Sequence, residues 1–337
     1  MATIKDIARK AGVSTTTVSN VLHNKSSRVS PDTVRRIQEI IQEEGYVPNM
    51  SARSLVGAQS RILGVISSLV PLSGGGFFQD PFHAVLLSGI EQCARERGYY
   101  LMVRTVESPE ELTSVLVNWN IEGLIMTGTF PETFYRELSA MGKPFVQVDP
   151  SLDSGGLKVL LDDETGGYIA TKYLLDKGHR NILFCGPEKR GSIVIEKRFQ
   201  GYARALSEYG LAPREDFLYT SEFSASEGIR LGREIAKRHD FTAVFATADI
   251  LAAEICTGLL LSGRRIPEDI SVVGFDDTSI SQINCPPLTT VRQDVAGRGQ
   301  KAVELLVDAI ESNLYAPPCI FPVSLIERES VRALSQD

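Results

Sequence analysis

Residues 3–22 read TIKDIARKAGVSTTTVSNVL, and this stretch predicts two short helices joined by a tight turn. Thr3, followed by Asp6 three positions later, predicts a variant of the capping box at the start of the first helix. Gly12 supplies the turn, and Ser14 is placed to cap the second helix. Apolar residues recur on one face of the first helix, as buried helix faces require: Ile4, Ile7, Ala8 and Ala11.

The second helix has an unusually polar outer surface. Its apolar residues Val18, Val21 and Leu22 point inward, and a third helix is predicted from Ser30–Pro31 to Gly45. Short hydroxyl and amide side chains cover the rest of the second helix, and such groups suit base edges and phosphates: Thr15, Thr16, Thr17, Ser19 and Asn20.

A purely structural three-helix bundle would show a similar pattern, so the charge distribution matters. Residues 1–60 carry eight Lys and Arg against five Asp and Glu, whereas residues 61–337 carry 27 against 37. The second helix also lacks the Glu and Lys pairs that a plain bundle would expose. A basic head on an acidic body therefore indicates that nucleic acid binds at the N-terminus.

The chain resembles the lactose-repressor (LacI/GalR-type) family of bacterial transcription regulators. The matching stretches span nearly all 337 residues: TIKDIARKAGVSTTTVSNVL, GYVPNMSARSL, YLLDKGHRNILFCG, RFQGYARAL and IPEDISVVGFDDTSISQINCPPLTTVRQD. The resemblance implies a repressor that binds an operator palindrome as a homodimer, with affinity set by a small effector such as a sugar. It also extends the DNA-binding set of residues: Thr3, Ser14, His23, Asn49, Ala52, Arg53 and Leu55.

The segment that follows the head is predicted to be a hinge helix. It carries good helix formers between Asn49 and Leu55, but about one and a half turns is too short to be stable alone in water. By resemblance, two such helices pair in the minor groove, where Leu55 wedges a base step and Ala52 allows close approach.

From Arg61 onward, apolar strands alternate with helices, which is typical of parallel sheets. The expected fold is multidomain: a helix-turn-helix head at 1–47, a hinge and linker at 48–60, and a two-lobed α/β body at 61–337 like periplasmic binding proteins. The first lobe is expected at about 61–160 and 292–318, and the second at about 161–291 and 319–337. By resemblance, a helix from about Val295 to Ser312 returns to the first lobe.

Polar residues at the strand ends predict a ligand site between the lobes. Asp149, Asp249 and Asp276 each follow a predicted strand, and Arg198 lies on the helix after another. Ligands of open α/β sheets bind beyond the carboxyl ends of the strands. Each of the four could instead have a satisfied capping role in the structure. The family matches them to effector-contacting positions, and Phe78, Asp80 and Phe223 join them as ligand-binding candidates.

Two other segments have a functional and a structural interpretation. The glycines of PLSGGGFFQDP at 71–81 resemble a phosphate loop, but the Gly-Lys-Ser/Thr ending is missing, so a cleft-edge loop is favoured. The acidic run 162–164 suggests a cation site, but it precedes a helical stretch, which favours a helix cap.

No catalytic or metal-binding motif is found, so an enzyme and a cofactor are not expected. Scattered cysteines, no signal region and no long apolar run predict a cytoplasmic location, in the nucleoid when DNA is bound.

Dimerisation is expected through helices near 82–97 and 249–261, the latter with surplus apolar residues: Ile250, Leu251, Ile255, Leu259 and Leu260. The alternatives are a solute-binding sensor and a regulator that depends on a co-repressor or a phosphoprotein.

Overall fold

The structure is a computed structural model of the full chain. It describes residues 2–22, 29–46, 60–68, 80–106, 108–128, 130–150, 155–187, 192–220 and 225–334. The chain divides into two compact units, residues 1–60 and residues 61–337.

The described residues of the first unit form three helices: α1 (Ile4–Ala11), α2 (Thr15–Leu22) and α3 (Pro31–Glu43). The predicted capping box is present, since Asp6 N–H donates to Thr3 Oγ1 and Thr3 N–H donates to Asp6 Oδ2. Gly12 ends α1 in the left-handed conformation, with φ 63°. A small common core is formed by buried residues of all three helices: Ile7, Ala8, Ala11, Val18, Val21 and Ile37.

The second unit contains two six-stranded sheets. The first sheet has the strands β1 (Ile62–Ser68), β2 (Tyr100–Thr105), β3 (Gly123–Gly128), β4 (Phe145–Val148), β5 (Leu157–Leu161) and β11 (Cys319–Phe321). The second has β6 (Ile182–Gly186), β7 (Leu218–Thr220), β8 (Ala243–Ala246), β9 (Ser271–Asp276), β10 (Thr289–Gln293) and β12 (Val323–Ile326).

The strand orders are β11-β5-β4-β3-β1-β2 and β12-β10-β9-β8-β6-β7. All pairings are parallel except that of β12 with β10. Near-continuous apolar strands such as ILFCG at Ile182–Gly186 suit sheets that helices cover on both faces. The body therefore has the two parallel sheets that the alternation of strands and helices predicts.

Helices cover both sheets. The first lobe has α4 (Pro81–Glu96), α5 (Pro109–Asn118), α6 (Glu132–Ala140) and the returning helix α12 (Val295–Ser312). The second lobe has α7 (Asp163–Asp176), α8 (Ile193–Glu208), α9 (Ala225–Ile235), α10 (Asp249–Leu261) and α11 (Ser279–Ile283). None of the described helices combines the length and apolar character that a membrane crossing needs.

The chain passes between the lobes three times, after β5, after β10 and after β11. The return of α12 to the first lobe agrees with the resemblance, because Val303 and Leu306 belong to the same buried core cluster as Leu63 and Val146. One boundary differs from the sequence expectation. Cys319–Phe321 pairs with Leu157–Leu161 in the first sheet, so the last second-lobe segment starts near 322 rather than at 319. The physical reason is that β5 needs a hydrogen-bonding partner on its outer edge, and β11 supplies it.

Three helix pairs cross at glycines, where backbones approach closely. The pairs are α4 with α12 at Gly89 and Gly299, α7 with α8 at Gly167 and Gly201, and α9 with α10 at Gly232 and Gly258. A Cβ on Gly201 would lie 2.0 Å from the carbonyl oxygen of Glu164, and one on Gly89 would lie 2.1 Å from that of Ala296. Larger side chains at these crossings would force the helices apart, and the first two crossings lie beside the residues of the interlobe site.

Candidate effector cleft and nucleic-acid interface

The outer surface of α2 carries the predicted base-reading groups. Thr15 and Thr16 lie in the first turn and are exposed, and Asn20 is partly exposed. Thr3 and Ser14 have structural partners: Thr3 Oγ1 donates to Asp6 Oδ2 at 2.7 Å, and Ser14 Oγ accepts from Thr17 N–H at 3.1 Å. Their caps fix where each helix of the head begins.

Several predicted site residues lie outside the described part of the chain. These are His23, Asn49, Ala52, Arg53 and Leu55 of the DNA-binding set, and Phe78 and Phe223 of the ligand-binding set. Their roles stay predictions from the sequence.

A chain of hydrogen bonds joins the two lobes at the carboxyl ends of their strands. Asp276, at the end of β9, accepts from Gln293 Nε2 through Oδ1 at 2.5 Å. Gln293, at the end of β10, accepts from Arg298 Nη1, and Arg298 Nη2 donates to Asp149 Oδ1 just beyond β4. Arg298 is completely buried in the first turn of α12. We call these four residues the interlobe network.

A second charged group lies beside the interlobe network. Arg198 of α8 is buried, and its Nε donates to Asp163 Oδ1 at 2.8 Å. Its Nη1 donates to the backbone oxygen of Thr247, and its guanidinium carbon lies 3.5 Å from the centroid of the Phe275 ring. Three contacts of different kinds therefore fix the guanidinium in one orientation.

The electrostatics of the cleft show how tightly these groups are coupled. Burial raises the pKa of Asp163 to about 6, although the positive charge of Arg198 opposes the shift. Burial also raises the pKa of Asp276 well above its ordinary value; Arg198 lowers it, whereas the charges of Asp249 and Asp80 raise it further. The charged groups of both lobes thus act on one another within a single partly dry site.

The backbone at the strand ends is unusual. Asp149 has φ 53° and Asp276 has φ 110°, and the adjacent Asp277 has φ 57°. Positive φ is uncommon for residues other than glycine, and such conformations concentrate at functional sites. Asp277 is held by ion pairs with Arg292 at 2.6 Å and Arg328 at 2.5 Å. This anchoring fixes the backbone that presents Asp276.

Two predicted ligand residues are held by structural partners, an alternative that the sequence left open for Asp249. Asp249 is fully buried, and its carboxylate accepts from Thr278 N–H at 2.7 Å and from Thr290 Oγ1 at 2.6 Å. Asp80 caps α4, accepting from Phe82 N–H at 3.0 Å, and lies 2.5 Å from His83 Nδ1. The carboxylate of Asp249 is therefore already held within the second lobe, whereas Asp80 acts on the site through its charge, which raises the pKa of Asp276.

Sequence reasoning missed three residues of this site: Asp163, Gln293 and Arg298. The acidic run 162–164 was interpreted as a cap, and Asp162 does cap α7, accepting from Thr165 N–H at 3.2 Å. Its neighbour Asp163 instead pairs with Arg198. The available signal for Gln293 was its position at the end of a predicted strand. Arg298 carried no signal beyond its place in the first turn of the returning helix.

Comparison with known proteins identifies the family. Residues 3–49 match the family model "Bacterial regulatory proteins, lacI family", and residues 171–331 match "Periplasmic binding protein-like domain". An HTH-type transcriptional repressor PurR of Aliivibrio salmonicida is 34% identical over 319 residues, covering 92% of this chain and 93% of that protein. A PurR repressor of Vibrio cholerae is 33% identical, with 100% of both chains covered.

Solved structures agree with the sequence relatives. The Lac repressor dimer bound to operator and the anti-inducer ONPF superposes with a TM-score of 0.86 at 27% identity, covering 98% of this chain and 99% of that one. A complex of the transcriptional regulator CelR with cellobiose gives a TM-score of 0.73 at 30% identity, covering 98% and 100%. The chain therefore belongs to the LacI family of bacterial regulatory proteins, as a DNA-binding transcriptional repressor that is regulated by a ligand.

Proposed function

We propose that a small uncharged polar molecule, a sugar or a related metabolite, binds between the two lobes and controls the affinity of a homodimer for a palindromic operator. The interlobe network carries this proposal. In this network, Asp149 of the first lobe accepts from the Arg298 guanidinium, and Asp276 of the second lobe accepts from the Gln293 amide. Arg298 and Gln293 also bond to each other, so the two aspartates are linked. A ligand that bonds to both aspartates would change how the lobes meet.

The chemistry of the cleft supports a hydroxyl-rich ligand. Asp149 and Asp276 each use Oδ1 in the interlobe network, which leaves Oδ2 as an acceptor for hydroxyl groups. Both guanidinium groups of the site already have carboxylate partners, Asp163 for Arg198 and Asp149 for Arg298, so an anionic ligand would have to displace one of these carboxylates. Bound cellobiose and ribose in two family neighbours are consistent with this class.

For the operator, we infer that Thr15, Thr16 and Asn20 read bases in the major groove. The support is their exposure on α2, together with the basic charge of residues 1–60. The hinge residues Asn49, Ala52, Arg53 and Leu55 complete the contact by resemblance. Because the operator lies on the chromosome, we infer a cytoplasmic, nucleoid-associated location.

The dimer contact is inferred on one face of α10. Leu251, Ile255 and Leu259, which the sequence grouped with the surplus apolar residues, are fully buried in the core of the second lobe. Leu260 and Leu261 remain 45% and 63% exposed. These two, with the partly buried Ile250 on the same helix, form an apolar edge suited to a second copy.

The effector class can be tested by thermal unfolding of the full chain with cellobiose, ribose, nucleobases and sugar phosphates. A neutral sugar that binds the folded cleft should raise Tm by roughly 5 °C at about one hundred times Kd. Asp276→Asn should abolish the shift, because it removes a carboxylate of the interlobe network.

Asp308→Asn is the matched control, since Asp308 lies on α12 about 15 Å beyond Arg298 and, among the described residues, forms an ion pair with Arg97 at 3.5 Å. It should keep the full Tm shift. A rise in Tm with sugar phosphates and none with neutral sugars would refute the proposed ligand class.

A further inference from the structure

Helix α12 begins at the interlobe network and ends where the chain enters the body. Arg298 lies in its first turn and Glu311 in its last turn. Glu311 follows Arg298 by 13 positions, which corresponds to about 20 Å along an α-helix. A single helix therefore spans the distance between the candidate effector site and the first residue of the body.

At its far end, α12 holds the residue that follows the linker. Arg61 Nη1 donates to Glu311 Oε1 at 2.6 Å, and Arg61 N–H donates to Glu122 Oε1 at 2.8 Å. The guanidinium carbon also lies 4.8 Å from the centroid of the Tyr99 ring. Arg61 has φ 58°, a conformation that is uncommon for arginine and that these contacts maintain.

The middle of α12 is packed too tightly to bend independently. Val303 and Leu306 are completely buried in the core of the first lobe. Its first turns cross α4 at Gly299 and Gly89, where backbone touches backbone and a Cβ on Gly299 would lie 2.4 Å from the Leu86 carbonyl oxygen. A displacement at Arg298 is therefore transmitted along the helix rather than absorbed by loose side chains.

We propose that α12 is the coupling element of this repressor, with Arg298 as the positioning residue at the cleft and Glu311 as the positioning residue at the entry of the hinge. The inference rests on the proposed control of operator affinity by the cleft. When the lobes shift, Gln293 and Asp149 move relative to each other, and Arg298, bonded to both, moves α12. Glu311 then changes the position of Arg61, and with it the direction in which the hinge leaves the body.

A double-mutant cycle tests this coupling without an identified effector. The operator is the duplex that the wild-type full chain selects from random double-stranded DNA. Its Kd is measured for wild type, Arg298→Lys, Glu311→Gln and the double variant, alongside the Kd for unselected DNA. Residues about 20 Å apart with no shared partner normally act independently. We expect the change in Kd of the double variant to differ at least threefold from the product of the changes in the two single variants. This difference should appear on the selected operator and not on unselected DNA.

Glu304→Gln is the control, because Glu304 lies on the same helix and its ion pair in the described part of the chain is with the nearby Lys301, at 2.9 Å. When it is combined with Arg298→Lys, the change in operator Kd should equal the product of the two single changes within twofold. If Arg298→Lys unfolds non-cooperatively, Gln293→Asn replaces it in the cycle.

If the Kd change of the Arg298 and Glu311 double variant equals the product of the single changes within twofold, α12 does not have the coupling role. A wild-type chain that selects no operator would instead overturn the proposed function on which the inference rests, so the two failures are distinguishable.

Discussion

At the scale of single residues, Glu254 is a buried acid without a role in the cleft. It lies on α10 with 8% of its surface exposed, and its Oε2 has no hydrogen-bond partner among the described residues. It packs directly over Gly228, where a Cβ would come within 2.1 Å of Oε2. Burial raises the pKa of Glu254 to about 7, so this carboxyl is protonated more readily in the folded state than in the unfolded chain.

We predict that Glu254→Gln stabilises the protein in a pH-dependent manner. Because the folded pKa of about 7 exceeds the ordinary 4.5, the folded state holds an extra proton between these values. Wild-type stability therefore falls as pH rises through this window and does not recover above it. Glutamine cannot ionise, so the variant should gain about 1–3 kcal/mol at pH 8 and much less at pH 5.

Urea unfolding at pH 5 and pH 8 measures this difference. The control Glu268→Gln changes an exposed acid and should leave stability unaltered at both pH values. An equal effect of Glu254→Gln at the two pH values would show that the carboxyl is already ionised in the fold.

The aspartates at the strand ends show what sequence can and cannot predict about the site. Asp149, Asp276 and Arg198 were predicted from their positions after strands, and the structure brings them together. Asp249 also follows a strand, but its carboxylate already accepts hydrogen bonds from Thr278 and Thr290. These partners are 29 and 41 residues away along the chain, so only the tertiary fold reveals that its carboxylate is already satisfied.

At the scale of elements, the crossing of α7 and α8 holds the Asp163–Arg198 ion pair together. Gly167 and Gly201 lie one turn from those two residues, and a Cβ on Gly167 would lie 2.0 Å from the Arg198 carbonyl oxygen. The close approach of the two backbones therefore sets the distance between the carboxylate and the guanidinium.

Gly201→Ala should force these helices apart. The added methyl would lie 2.0 Å from the Glu164 carbonyl oxygen and 2.5 Å from Tyr168 N, and neither backbone atom can rotate away. We expect a loss of roughly 1–3 kcal/mol in the free energy of unfolding and a weaker Tm shift with the bound sugar. Ser207→Ala, at an exposed position of the same helix, should change stability by less than about 0.5 kcal/mol. Full retention of both stability and sugar binding in Gly201→Ala would contradict this role.

Elements with strong local signals were predicted well. The caps of α1 and α3 and the apolar strands of the body carry such signals within a few residues. The short strand β11 does not, because Cys319–Phe321 becomes a strand only by pairing with β5, more than 150 residues earlier. The neighbouring strands β11 and β12 are alike in composition but belong to different sheets.

At the scale of the whole molecule, the chain combines a basic head with an acidic two-lobed body. Composition and motifs were sufficient to predict this organisation and the family. They were insufficient for the interlobe network, because Gln293 at the end of β10 and Arg298 at the start of α12 become site residues only when the fold brings Arg298 to Asp149. In the proposed function, a ligand changes the contacts at this point.

The most direct test is the equilibrium Kd of the full chain for its selected operator, measured with and without the sugar that raises Tm. We predict a change of at least tenfold at saturating sugar, about 1.4 kcal/mol of coupling, and no change in Asp276→Asn. A Kd that stays within twofold in the wild-type protein, under conditions where the sugar is bound, would contradict control of the operator from the interlobe cleft.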